Sequence, residues 1–431
     1  MRRGRNRLLF LVLTLFFIVP PCTAIASPFV YIPSSVNNNV VVLDSATNTV
    51  ATTISVGSNP TGVAVNSAGT RVYVTNGNAR SVSVIDTATN SVTRTISVGA
   101  NPAGVAVNPT GTYAYVANSE GAGTVSVIDT ATNSVTATIS VGTYPFGVAV
   151  NPAGTRVYVT NINTNNVSVI NTATNTVTAT VSVGNTPYGV AVNPAGTRVY
   201  VANGSGGSIS VIDTATNAVI TAIVVGQSPY GVAVNPAGTR LYVTHNVSSG
   251  IVTVINTVSN SVEATVSVGS IPYGVAINSA GTRVYVTNKG GGNLSIINAV
   301  TNTVTSTINN VGVNPTGIGN FVGPYVGEIQ FLDLTTDLEG TAKTGDPITF
   351  TAQAVGQSPI YYTFWCRAGY GTSAYDSNSW VIMQDFSTSN TCTYTFTSPS
   401  NYIIIAWAVN DPTNIPNDYP LIALNVRVEN P

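Results

Sequence analysis

One segment of 42 or 43 residues recurs along most of this sequence. Each copy reads close to P-x-G-V-A-V-N-P-A-G-T-R-V-Y-V-T-N and continues into V-S-V-I-D-T-A-T-N-T-V-T-A-T-I-S-V-G. Its first proline occurs at seven positions: Pro60, Pro102, Pro145, Pro187, Pro229, Pro272 and Pro315. A period of this length is typical of one four-stranded propeller blade, a unit that is repeated around a common axis.

The copies contain strand and turn signals and leave no room for a helix. In the copy that begins at Pro60, residues that favour strands form four runs: 62–65, 71–74, 82–85 and 92–98. Turns rich in Asn, Asp, Ser and Gly separate the first two runs at 66–69 and the last two at 86–90. Each copy is therefore predicted to form four antiparallel strands.

The two ends of the array predict how the ring closes. The first copy, at residues 29–57, lacks an innermost strand, whereas the last copy, at residues 315–319, supplies only that strand. Pairing these ends completes a seventh blade and leaves no open strand edge. We therefore predict an all-β fold whose main domain is a seven-bladed β-propeller over residues 27–324.

The tetrapeptide Tyr-Val-Thr-Asn stands in three of the copies, at residues 73–76, 158–161 and 285–288. These repeats resemble those of the YVTN-type β-propeller family over roughly two thirds of the chain. The resemblance implies a seven-bladed fold and an extracytoplasmic protein of the surface-layer or secreted type. It implies no particular reaction.

The first 26 residues have the pattern of a secretory signal peptide. Four arginines precede an apolar run over residues 8–19, and the Ala-Ile-Ala sequence at residues 24–26 provides a cleavage site. We expect cleavage near Ala26 and a mature protein that is secreted, periplasmic or held at the cell surface. No later run reaches the roughly 18 apolar residues of a membrane helix, so no transmembrane segment is predicted in the mature chain.

Charge argues against a nucleic-acid partner. Only 7% of the residues are charged, and without the four signal arginines 11 basic and 16 acidic residues remain, a net charge of −5. Such a surface repels phosphate backbones at long range. The low charge instead suits an exposed surface protein.

A second domain is predicted over residues 325–431, where the repeat stops. This part of the chain contains ten acidic residues and only three basic ones. All three tryptophans occur here: Trp365, Trp380 and Trp407. Strand-like runs lie between turn residues at 347–351, 360–365, 393–396 and 402–407. This pattern indicates a small antiparallel β-sandwich and resembles bacterial immunoglobulin-like or fibronectin-like domains.

Two cysteines remain after signal removal, Cys366 and Cys392, and both lie in this second domain. In an exported protein they are expected to form a disulfide. A zinc or nucleophile role is not predicted, because the chain has neither a third nearby sulfur nor a C-x-x-C motif. We expect no metal and no cofactor, and the domain's acidic residues follow no calcium-loop spacing.

Side chains that recur in every copy are interpreted as structural. A strand tyrosine recurs at seven positions and is predicted to pack between blades: Tyr31, Tyr73, Tyr115, Tyr158, Tyr200, Tyr242 and Tyr285. An arginine recurs before the second strand and is interpreted as a solvated rim charge: Arg71, Arg156, Arg198, Arg240 and Arg283. An Asp or Asn that starts the last turn of each copy is interpreted as a turn former.

The loops that vary between copies follow the second strand or precede the first, and both sets open on one face of a propeller, here called the mouth face. The residue between Pro and Gly at the start of each inner strand is small in three copies and aromatic in four. The aromatic arc consists of Phe146, Tyr188, Tyr230 and Tyr273. It is predicted either to bind a sugar or protein loop or to plug the channel mouth.

The chain's single histidine, His245, stands where the other full copies have asparagine, and Lys289 follows that position in the next copy. Both are candidate ligand contacts. A histidine alone cannot hold a metal, so His245 is also interpreted as an ordinary hydrogen-bonding substitution.

No catalytic motif is evident, and the predicted function is a non-enzymatic binding or structural protein that recognises a cell-surface glycan or protein. One alternative is a hydrolase or lyase of the lactonase kind, since such enzymes also use seven-bladed propellers. Another is a surface-layer lattice subunit. A channel metal would favour the enzyme, and self-assembly without ligand would favour the lattice.

Overall fold

The structure is a computed structural model that describes residues 29–323 and eight strands beyond them. The predicted signal peptide at residues 1–26 lies outside the described residues. In the part of the chain that is described, every regular element is a β-strand, and no helix there is long and apolar enough to cross a membrane.

Seven blades form a ring, which confirms the predicted fold. Blade 1 contains β1 (Phe29–Ser34), β2 (Asn39–Asp44) and β3 (Thr49–Ser55). Blade 2 contains β4 (Pro60–Val65), β5 (Arg71–Asn76), β6 (Ser81–Asp86) and β7 (Ser91–Ser97). Blade 3 contains β8 (Pro102–Val107), β9 (Tyr113–Asn118), β10 (Thr124–Asp129) and β11 (Ser134–Ser140). Blade 4 contains β12 (Pro145–Val150), β13 (Arg156–Asn161), β14 (Asn166–Asn171) and β15 (Thr176–Ser182).

The remaining three blades repeat this plan. Blade 5 contains β16 (Pro187–Val192), β17 (Arg198–Asn203), β18 (Ser208–Asp213) and β19 (Ala218–Val224). Blade 6 contains β20 (Pro229–Val234), β21 (Arg240–His245), β22 (Ile251–Asn256) and β23 (Ser261–Ser267). Blade 7 contains β24 (Pro272–Ile277), β25 (Arg283–Asn288), β26 (Asn293–Asn298) and β27 (Thr303–Ile308). Within each blade, consecutive strands pair in chain order and antiparallel.

Residues 315–322, here called the closing segment, complete blade 1 as predicted. Bridges join Val30 to Val322 and Ser34 to Pro315 in antiparallel pairing with β1. The Tyr31 amide donates to the Phe321 carbonyl at 2.9 Å. The last part of the propeller thus supplies the innermost strand of the first blade, and the ring is closed by backbone hydrogen bonds.

Three residues of the Tyr-Val-Thr-Asn signature have separate roles, shown here for blade 2. Tyr73 is 1% exposed and packs in a cluster with side chains of blade 3. The Thr75 hydroxyl accepts from the Gly62 amide at 2.8 Å and donates to the Ala103 carbonyl at 2.6 Å. Asn76 donates to Ser83 at 3.0 Å. The threonine therefore links the inner strands of two neighbouring blades.

The glycine of the inner strand is required by close backbone approach. A Cβ added at Gly62 would overlap the Ala103 carbonyl of the next inner strand, and one at Gly231 would overlap the Tyr273 carbonyl. Only glycine lets the inner strands converge this tightly around the axis.

The interpretation of the recurring arginines as solvated rim charges is wrong for four of the five. Each of these four donates through Nη1 to a turn carbonyl of the next blade: Arg71 to Thr130 at 2.6 Å, Arg156 to Thr214, Arg240 to Ala299 at 2.6 Å, and Arg283 to Ser45 at 2.7 Å. Arg198 instead pairs with Asp213 in its own blade. These arginines join neighbouring blades on the face opposite the mouth.

The recurring Asp or Asn does start a turn, as predicted. The Asp86 carboxylate accepts from the Ala88 and Thr89 amides, both at 3.0 Å. The same Asx turn occurs at Asn171 and Asn298, so charge is not needed for it.

Beyond the ring, the described strands form two small sheets. They are β28 (Gln330–Thr336), β29 (Ala342–Lys343), β30 (Pro347–Val355), β31 (Tyr361–Ala368), β32 (Val381–Ser387), β33 (Thr391–Thr395), β34 (Ser400–Val409) and β35 (Leu421–Glu429). One sheet has the order β28-β30-β33 and the other has the order β29-β35-β34-β31-β32.

The predicted disulfide between Cys366 and Cys392 is not formed. Cys392 is a buried free cysteine on β33, opposite Phe350 of β30. Cys366 lies on β31, in the other sheet, opposite Ile404 of β34. Burial raises the pKa of the Cys392 thiol, which keeps it protonated.

Candidate binding site at the channel mouth

The residue between Pro and Gly of each inner strand lies at the mouth of the central channel. In the closing segment, β4 and β8 this residue is Thr316, Thr61 and Ala103. In β12, β16, β20 and β24 it belongs to the aromatic arc. The ring is therefore divided into three neighbouring blades with small side chains and four with rings.

The four rings of the aromatic arc pack against one another. Phe146 meets Tyr188 edge-on, with ring centroids 5.4 Å apart, and lies 5.6 Å from Tyr230. Tyr230 is 4.4 Å from both Tyr188 and Tyr273 in tilted contacts. These are favourable aromatic geometries, so the arc is a rigid wall rather than a set of separate exposed rings.

Two tyrosines of the arc are joined through their hydroxyls. Tyr230 donates to the Tyr273 hydroxyl at 2.7 Å, and the two side chains are 8% and 7% exposed. Burial raises the pKa of Tyr273 to about 12 and raises that of Tyr230 well above its ordinary value. Both hydroxyls therefore stay protonated near neutral pH.

A cavity of about 210 Å³ occupies the other half of the mouth. Phe146 and Tyr273, the two ends of the aromatic arc, form its walls. Thr61, Ala103 and Thr316 lie between them, where the missing rings leave space. The middle of the arc, Tyr188 and Tyr230, is not part of the lining. Half of the mouth is thus plugged by aromatic side chains, and the other half is open.

The cavity rim comes from loops of the mouth face. Ser35 and Ser119 follow the second strands of blades 1 and 3, and Lys289 follows that of blade 7. Asn59 and Asn101 precede the inner strands of blades 2 and 3. Apart from Lys289, the polar side chains of the lining are neutral amides and hydroxyls.

Lys289 is the charged residue of the cavity. Its Nζ lies 4.9 Å from the centroid of the Tyr273 ring, in a cation–π contact. Within the described part of the chain it takes part in no ion pair. The sequence identified Lys289 and the arc as candidates, and the structure brings Lys289, Phe146 and Tyr273 together in one cavity.

Asn59 and Asn101 were missed by sequence reasoning, although a signal for them was present. Both adopt a left-handed backbone, with φ of 58° and 52°, which asparagine tolerates well. The equivalent residues of blades 4 and 7, Tyr144 and Ile271, have the same φ sign but are poorly suited to it. Asparagine before the proline thus marks the same blades that carry small residues after it.

His245 lies outside the cavity lining and is 3% exposed. Its Nδ1 donates to the Gln227 carbonyl at 2.6 Å, and its Nε2 accepts from the Thr253 hydroxyl at 2.8 Å. In the neighbouring blade, Asn203 and Ser210 make the corresponding bond at 2.9 Å. This geometry supports the structural interpretation of His245 as a hydrogen-bonding substitution.

The buried histidine predicts a pH dependence of stability. Burial lowers the pKa of His245, and its bond to Gln227 offsets this only in part. The histidine of the unfolded chain therefore takes up a proton near pH 6.5, whereas that of the folded chain does so only at lower pH. The free energy of unfolding is expected to fall as the pH drops below about 6.5. Replacing the pair by His245→Asn with Thr253→Ser should remove this loss, measured as the change in melting temperature between pH 7.5 and pH 5.5. An equal loss in both proteins would contradict it.

No group of three His, Cys, Asp or Glu side chains within the described ranges is arranged to hold a metal ion. On the mouth face of the propeller, the loops contain three charged residues: Arg80, Glu120 and Lys289. Arg80 and Glu120 lie 4.0 Å apart and are both well exposed.

Comparisons with known proteins support the fold. The sequence matches no family model and no curated protein. Among solved structures, hydrazine synthase from Kuenenia stuttgartiensis is similar, with 20% identity and a TM-score of 0.57 over 69% of this chain and 96% of that one. A functionally unknown protein from Desulfotomaculum acetoxidans DSM 771 has 17% identity and a TM-score of 0.59 over 67% and 98%. At these identities the likeness shows a shared propeller fold alone.

Proposed function

We propose that this protein is an extracytoplasmic, non-enzymatic recognition protein that binds a cell-surface glycan at the mouth of its propeller. The observation that carries the proposal is the cavity of about 210 Å³ between Phe146 and Tyr273. The signal-peptide pattern and the resemblance to YVTN-type propellers support the location.

The chemistry of the cavity favours a sugar over a protein loop. Phe146, a half-buried ring of the lining, offers a flat apolar surface for the C–H face of a sugar ring. The neutral amides of Asn59 and Asn101, together with the hydroxyls of Ser35 and Ser119, match ring hydroxyls as donors and acceptors. The cavity is also smaller than the about 300–1,000 Å³ of drug-sized sites, so it suits one ring better than a side-chain cluster.

Filling the cavity provides a sharp test, because the chain itself shows which residue to use. Ala103→Tyr introduces at blade 3 the side chain that blades 5, 6 and 7 carry at the same position. We expect the variant to keep its melting temperature and to lose at least about 90% of its binding to an immobilised glycan panel, since the ring occupies the site.

The matched control is Ala88→Tyr, the same substitution at an exposed residue in a turn on the opposite face. It should bind as the unmodified protein does. Equal binding by both variants would show that the cavity is not the site, and an unmodified protein that binds no glycan would overturn the proposed function.

A further inference from the structure

We infer that the cavity is selective for an acidic sugar, a ring that carries a carboxylate such as a hexuronic acid. This inference rests on the proposed function and specifies its substrate class. It comes from the position of Lys289 among otherwise neutral lining residues.

Lys289 is the single lysine between residues 29 and 323. Its Nζ stands over the Tyr273 ring, 4.9 Å from the centroid, which places the ammonium group at one wall of the cavity, across from Phe146. A cation held on an aromatic face keeps its remaining N–H donors free for a ligand.

No carboxylate competes for this ammonium group in the cavity. The lining residues include no Asp or Glu, and in the described part of the chain Lys289 takes part in no ion pair. The acidic residue of the mouth face, Glu120, is 4.0 Å from Arg80 instead. An anionic ligand is therefore the natural partner for Lys289.

The remaining lining groups favour an anion that is attached to a polar ring. Asn101 and Ser119 belong to one side of the rim, and Asn59 and Ser35 belong to its other loops. The Ser35 hydroxyl donates to the Asn314 carbonyl at 3.1 Å, and the Asn101 amide donates to the Ser119 carbonyl at 3.4 Å, so a ligand meets their remaining donor and acceptor positions. A small anion such as acetate or phosphate would pair with Lys289 and use few of these positions. A neutral hexose would contact the neutral groups and leave the ammonium group with the Tyr273 ring alone. An acidic sugar satisfies both.

Calorimetric titration and ligand-observed NMR can test this with the full-length protein and matched probes. The methyl glycosides of glucuronic, galacturonic and mannuronic acid are compared with those of glucose, galactose and mannose, and with sodium acetate. We expect one of the uronides to bind about tenfold or more tightly than its neutral counterpart, and acetate not to saturate the site.

Lys289→Met should reduce the affinity for that uronide by about 10- to 100-fold and leave the affinity for the neutral sugar nearly unchanged. The control Arg80→Gln removes an equal charge from the same face, outside the cavity lining, and should keep the selectivity. The uronide affinity should also fall as salt is raised from 50 to 500 mM, within about a factor of ten.

Three results would overturn the inference. Equal affinity for uronide and neutral sugar, with loss of both in Ala103→Tyr, would leave the proposed function intact and refute the acidic selectivity. Loss of selectivity in Arg80→Gln as much as in Lys289→Met would assign it to the general charge of the face. Absence of binding to every sugar would refute the proposed function as well.

Discussion

Tyr115→Ala should lower the free energy of unfolding by about 3–5 kcal/mol, the range found when a large buried ring is removed from a core. Tyr115 is 1% exposed and packs in a cluster that contains Val157 and Val159 of blade 4. The truncation therefore leaves a cavity between two blades, where neighbouring sheets cannot collapse without shifting the inner strands. Urea unfolding of the purified protein measures the change.

The strand itself supplies the control for this measurement. Tyr113 lies two residues earlier on β9 and is 38% exposed. Tyr113→Ala removes the same side chain from the surface and should change the unfolding free energy by less than about 1 kcal/mol. Similar effects from the two substitutions would show that packing between blades is not what the recurring tyrosine provides.

Removal of the closing segment together with Val311, which precedes it, should destabilise the propeller still more. A chain that stops after Asn310 loses Val311, Phe321 and Val322, which are 0%, 0% and 3% exposed in the core of blade 1. Each contributes about 1.5–3 kcal/mol when buried, so their loss approaches the about 5–15 kcal/mol that stabilises a typical domain. It also leaves the inner edge of β1 unpaired, and such edges promote aggregation.

A chain that stops after Gly323 keeps every strand of the ring and is the comparison for this truncation. We expect it to elute as a monodisperse species and to unfold in one cooperative transition. The shorter chain should aggregate or melt without a clear transition, as followed by size-exclusion chromatography and circular dichroism. A shorter chain that melts as cooperatively as the longer one would contradict the closure described here.

The fold was predictable because the information for it is repeated along the chain. The 42- or 43-residue period gave the blade, and the incomplete copies at residues 29–57 and 315–319 gave the closure. Contacts between side chains of different copies were harder to predict from the sequence. The arginines were taken for solvated charges because their acceptors, such as the Thr130 carbonyl for Arg71, lie in a turn of the next blade.

The candidate site was predicted in part. Alignment of the copies located the aromatic arc and Lys289, but it could not tell which rings face a cavity and which lie behind them. That division depends on how four rings pack across a closed circle, as in the 5.6 Å contact of Phe146 with Tyr230 two blades away. The predicted disulfide between Cys366 and Cys392 was also wrong, since Cys392 is a free, buried cysteine.

The position between Pro and Gly also makes this ring a scaffold for engineering new receptors. Strand pairing is the same whether that position holds threonine or tyrosine: Pro60 pairs with Asn76 and Val63 with Val74, as Pro187 does with Asn203 and Val190 with Val201. The backbone of each blade therefore accommodates either side chain, while rings in neighbouring blades pack on one another and must be chosen together. A combinatorial library at these seven positions would vary the depth and shape of the mouth without rebuilding the backbone.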